Sequence, residues 1–83
     1  MKFIISNVTL DQLPFEREGR IARIEMAVEI VAYLRAVGIG EGTIVTIVRA
    51  APFGGPLFLR ASSGAEIAID REIARAITIE GHP

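Results

Sequence analysis

The chain has 83 residues, 51% of them hydrophobic and 23% charged, with a formal net charge of -1. That is enough for one small core spanning residues 1–83 with no second domain, and it is too apolar for a disordered segment. The near-zero charge gives no electrostatic reason to expect nucleic acid or anionic lipid as the main partner, and the absence of cysteine excludes disulfides, thiolate metal sites and cysteine nucleophiles.

At the start, MKFIISNVTL carries one lysine and a short apolar run from Phe3 to Ile5. Asn7, Asp11 and Gln12 interrupt it before a cleavable leader develops. No run approaches the roughly 18 consecutive apolar residues of a membrane span, so the expected location is the cytoplasm. Thr9 offers an N-cap to one short helical turn anchored by Leu10 and Leu13 and stopped by Pro14. From Arg20 the segment RIARIEM alternates imperfectly, which predicts a strand with a bulge, opened by Gly19.

Ala27, Ile30, Val31, Leu34 and Val37 follow the three-and-four spacing of one helix face, and Gly38 supplies the left-handed residue that ends such a helix. TIVTIVRA then predicts a strand, AAPFGGP a turn and LFLRA a second strand, joined as a hairpin. SSGA makes another turn, EIAI another strand, Asp70 caps the short turn REIA, and AITIE is the last strand. The fold class expected is mainly β, a small antiparallel barrel of about five strands with one inserted α-helix and short helical turns towards the termini.

Motifs for chemistry are weak. Gly38, Gly40 and Gly42 follow a helix and precede a strand, the reverse of a phosphate loop, and read as a helix cap and tight turn. The single histidine, His82, lies at the C-terminal end, where no cluster of ligands joins it. Glu16 with Glu18, and Asp70 with Glu72, read as solvated charge beside arginines, and Ser6, Ser62 and Ser63 have no histidine to activate them. Arg17, Arg20 and Arg23 are interleaved with Glu16, Glu18 and Glu25, and only Phe15 is nearby to stack on a base. No catalytic residue, cofactor or metal site is expected, and the protein is not expected to be an enzyme.

The order of the pieces is more specific than any one of them. TLDQLPFEREGRIARI, then LRAVGIGEGTIVTIVRAAPFGGPLFLR, then EIAIDREIARAITIE resemble the FeoA family of small ferrous-iron-transport accessory proteins, which share an SH3-like barrel. The resemblance runs from about Thr9 to Glu80. It rests on Leu34, Gly38, Ile39 and Gly42, then Val45 and Ile47, then Ala51-Pro52 and Gly54-Gly55-Pro56, and finally Ile67, Ile69, Ala74 and Ile77. The sequence departs from the family pattern at Glu16, where members often have glycine, at Tyr33, where arginine is common, and at Asp70, where a basic residue is common.

The resemblance implies a role in transition-metal transport as a cytosolic partner of FeoB, a polytopic ferrous iron transporter with an attached GTP-binding domain. Binding would modulate the transporter's GTPase activity or assembly, and contact with the membrane would come only through that transporter. The same unit resembles the C-terminal domain of iron-dependent repressors, whose DNA-binding domain this chain is expected to lack. Partner contacts are expected from the helix end and its turn (Tyr33, Leu34, Gly38, Ile39) and from the hairpin (Pro52, Phe53, Gly54, Gly55), since loops on a rigid barrel tend to carry binding.

Strand alternation puts Val45 and Ile47 on the core face and sends Ile44 and Phe58 outward, with Phe53 expected nearby. Such a cluster offers either a homodimer surface or a face covered within the monomer. The alternative function is accordingly a small regulatory or homodimerisation barrel unrelated to iron transport. A nucleic-acid-binding barrel is a third reading, which a missing gel shift at low salt would remove.

Overall fold

The computed structural model describes residues 7–80. The leading run Phe3 to Ile5, Ser6 and His82 lie outside them. Six antiparallel strands form one sheet: β1 (Asn7–Thr9), β2 (Glu18–Ile24), β3 (Ile44–Ala50), β4 (Leu57–Ala61), β5 (Glu66–Ile69) and β6 (Ile77–Glu80). Their spatial order is β1-β6-β2-β3-β4-β5, so the last strand lies between the first two. Helix α1 (Val28–Ala36) joins β2 to β3, and the single turn α2 (Arg71–Ala74) joins β5 to β6.

The core gathers one face of every longer strand: Ile21 and Ile24 from β2, Val45 and Ile47 from β3, Leu57 and Leu59 from β4, Ile69 from β5, Ile77 and Ile79 from β6. Each is buried while its sequence neighbours are more open, as the two-residue period of a strand requires. Leu10 and Leu13 close one side, and Leu34, backed by Ile30 and Val31, brings α1 onto it. No polar or charged side chain is buried among the described residues.

Two expectations about element starts change. The strand predicted from Arg20 begins at Glu18, and Gly19 lies inside it, buried and paired with Val45. A Cβ there would collide with Cγ2 of Ile79 and stand 3.2 Å from Leu13, so Gly19 is needed for close packing and not as a strand opener. The bulge expected in this strand is present, where the β2–β6 register shifts between Ile21 and Arg23. Asp70 occupies the N-cap of α2, but its side chain makes no capping hydrogen bond; the turn is held through the backbone, Ala74 N–H donating to Asp70 C=O.

Near the N-terminus, Thr9 does begin a short turn, the 3-10 helix Leu10–Gln12. Its backbone N–H donates to Oε1 of Gln12 at 3.2 Å, and its hydroxyl donates to the carboxylate of Asp11. Strand β1 is an addition to the expected set, paired with β6 through Val8 and Ile79.

Candidate partner-docking surface

The two groups of predicted contact residues lie at opposite ends of β3. Val45 pairs with Ala61 at the end where β4 turns into β5, and Ala50 pairs with Leu57 at the end where β3 turns into β4. Five residue steps along β3 separate these two pairs, roughly 17 Å. The helix end packs at the first of these ends, and the hairpin tip projects from the second.

At the helix end the chain forms a glycine-capped Schellman arrangement. Gly38 N–H donates to Arg35 C=O at 3.0 Å and Ile39 N–H donates to Leu34 C=O at 2.8 Å, with Gly38 at a φ of 95°. This geometry folds the residue after the glycine back against the last turn of the helix. Leu34 and Ile39 are therefore side by side in the core, 2% and 0% exposed, and neither presents a side chain to a partner. A Cβ on Gly38 would stand 3.0 Å from the Ser63 hydroxyl and 3.4 Å from the Ala65 Cβ, so this glycine seats α1 on the β4–β5 turn. Of the four residues expected at this end only Tyr33 is open, at 60%. Val28, the first residue of α1 at its opposite end, is also exposed, a residue that helical periodicity alone does not single out.

The hairpin tip behaves differently. Gly55 N–H donates to Pro52 C=O at 3.1 Å and Ala51 N–H to Pro56 C=O at 2.9 Å, closing a four-residue turn on Pro52, Phe53, Gly54 and Gly55. Both central residues have positive φ, 60° at Phe53 and 76° at Gly54, the signature of a type I′ turn. Asparagine, aspartate or glycine normally fill its first central position, because a left-handed backbone costs an ordinary side chain roughly 1–2 kcal/mol. Phe53 stands there with its ring fully in solvent.

The tip is also anchored. Nε of Arg71, the first residue of α2, donates to Gly55 C=O at 2.9 Å, and a Cβ on Gly55 would press against Ala51. No local sequence signal announces Arg71, which is sixteen residues from its acceptor.

Ile44 and Phe58 do not form the single outer patch expected of them. Ile44 lies at the Ser62 end, where Ser62 N–H donates to its carbonyl, whereas Phe58 pairs with Arg49 and Ala68 near the other end. Both are half-buried, and the Phe58 ring is capped by the Arg49 guanidinium at 4.0 Å. Phe53 extends past the end of the strand instead of joining them.

No group of three or more histidines, cysteines or carboxylates close enough to hold a metal occurs among the described residues, and no helix there is long and apolar enough to cross a membrane.

A family model for the FeoA domain matches residues 8–81. The solution structure of a FeoA protein from Chlorobium tepidum superposes with a TM-score of 0.82 at 20% identity, covering 88% of this chain and 69% of that one. The solution structure of iron(II) transport protein A from Clostridium thermocellum gives 0.80 at 27% identity, covering 88% of this chain and 44% of that one. A manganese-dependent transcriptional repressor gives 0.81 at 20% identity, with 95% of this chain matching 44% of the repressor. Among curated proteins nothing matches.

Proposed function

The chain belongs to the FeoA family, and from that premise we propose that it is a non-enzymatic, cytoplasmic accessory protein of ferrous iron transport that binds the cytosolic part of an FeoB-type transporter. The SH3-like sheet is the scaffold and the β3–β4 tip is the contact. Family membership supports the accessory role; the single observation that supports this surface is Phe53, a fully exposed aromatic in a left-handed turn position that glycine would fill without strain. Backbone strain of that kind persists where the surroundings hold it and tends to gather at binding sites.

Pro52, Gly54 and Gly55 shape the tip, and the hydrogen bond from Arg71 fixes its direction relative to the sheet. A ring presented on a stiff turn loses little conformational freedom on docking, and burying it supplies about 1.5–3 kcal/mol. Through this contact the protein modulates the transporter's GTPase activity or its assembly.

Calorimetric titration of the chain into the purified GTP-binding cytosolic domain of a matching transporter, with and without a GTP analogue, tests the reading. Saturating heat near one-to-one is expected, with Phe53→Gly weakening it at least about tenfold, the equivalent of 1.4 kcal/mol. Absence of heat in both nucleotide states, or undiminished binding by a folded Phe53→Gly protein, overturns it.

A further inference from the structure

The outer face of β3, β4 and β5 carries a second feature, independent of the tip. Across these strands Arg49 pairs with Phe58 and Phe58 with Ala68, so one row of the face runs cation, aromatic ring, methyl. Ala68 leaves space beside the ring, and a groove of about 350 Å³ lies there, bordered by Val48, Arg49, Phe58, Glu66 and Ala68.

The electrostatics of this groove are one-sided. Glu66, its only carboxylate, is engaged by Arg60 at 3.2 Å. Arg49 forms no ion pair among the described residues. Stacking over the Phe58 ring holds the guanidinium in place while leaving its N–H edges free to donate, an arrangement suited to a carboxylate.

The groove ends at a strand edge that has no partner strand among the described residues. β5 is the last strand of the sheet. Ala61 N–H donates to Ala65 C=O, which sets the phase of the β4–β5 ladder: Ile67 and Ile69 turn their backbone groups towards β4, and Glu66 and Ala68 turn theirs away. Both of these residues are exposed.

We propose that this groove and the adjoining edge of β5 receive an extended acidic segment of a partner protein, added as a seventh strand, with one of its carboxylates on Arg49. Main-chain hydrogen bonds to Glu66 and Ala68 supply the register, and the Arg49–Phe58 pair selects acid over base.

The test is amide NMR of the full chain titrated with acetyl-Val-Glu-Val-Glu-Val-amide and with the same peptide carrying lysine for glutamate. Saturable shifts confined to Arg49, Phe58 and Glu66 through Ala68 are expected with the acidic peptide only. Arg49→Gln should weaken them at least about fivefold, as the loss of a charge-assisted hydrogen bond does. Ala68→Leu, which fills the space beside the ring, should weaken them as well, and either variant is read only where its remaining spectrum matches the parent. No saturable shift, equal response to the lysine peptide, indifference to both substitutions, or shifts reproduced by concentrating the protein alone would each overturn the proposal.

Discussion

The two hairpins that share β4 solve the same geometrical problem in opposite ways. The β4–β5 connection is a three-residue loop: Gly64 N–H donates to Ala61 C=O, Ala61 N–H donates to Ala65 C=O, and the position that must be left-handed is taken by Gly64 at a φ of 95°. Turn chemistry asks for glycine there and the sequence supplies it. The β3–β4 connection places Phe53 at a φ of 60°, although two glycines follow immediately. The first turn is packed under the end of α1 through Gly38; the second projects into solvent with an exposed ring. One end of the sheet is built for stability, and the other tolerates strain to present a side chain.

The register of β4 explains why the glycines cannot take over at the tip. A turn centred on Gly54 and Gly55 would slide β4 along β3 by two positions, set Arg49 opposite Arg60 and carry Leu57 past the end of β3. Like charges facing across a ladder are destabilising, and Leu57 is one of the fully buried core residues. The core and the Arg49–Phe58 pair therefore fix the register, and Phe53 inherits the strained position.

If the helix end and the β4–β5 turn are one structural unit, Gly38→Val should cost the most, about 2–3 kcal/mol, because it adds a left-handed β-branched residue and crowds Ser63 and Ala65. Chemical denaturation should show a lower midpoint with an unchanged slope. Gly64→Val tests the same end through backbone strain alone, since nothing lies within 4 Å of a Cβ there. A loss of about 1–2 kcal/mol is expected, and a neutral result would mean that the loop relaxes out of its three-residue form.

The tip should respond in the other direction. Phe53→Gly relieves the left-handed strain and removes no packed side chain, so the melting temperature should rise by roughly 2–6 °C. A fall would show that the ring packs within the monomer and would weaken the contrast between the two turns. Arg71→Met should produce the smallest change, a loss below about 1 kcal/mol from the missing hydrogen bond to Gly55, with amide exchange quickening at Phe53 through Gly55 and not at Ser62 through Gly64.

Of the candidate surface, the hairpin half was legible and the helix half was only partly so. PFGGP marks a turn without tertiary information, but the sign of φ at Phe53 depends on where β4 locks against β3. At the helix end Gly38 was legible as the cap, and the cap itself carries the correction: when glycine ends a helix in this way, the next residue packs against the last turn. Leu34 and Ile39 are that pair, core residues that only resemble surface ones because a turn lies beside them. Ile44 and Phe58 fail as a patch for a related reason, since alternation assigns a face but says nothing of position along the strand.

What the sequence determined by itself is local: the amphipathic spacing of α1 and its glycine stop, the two hairpins of β3, β4 and β5 with their turn residues, the bulge in β2, and the core side of each longer strand. Those features arise from side-chain periods and backbone preferences that act over a few residues. The tertiary structure decided the rest. It placed β6 between β1 and β2, made a strand of the three residues Asn7–Thr9 that show no period of their own, drew Gly19 into the core against Ile79, bound Arg71 to a carbonyl sixteen residues away, and forced Phe53 into a turn position it would not choose. Each of these follows from pairing and packing between distant segments, where the burial of a common core outweighs local preference.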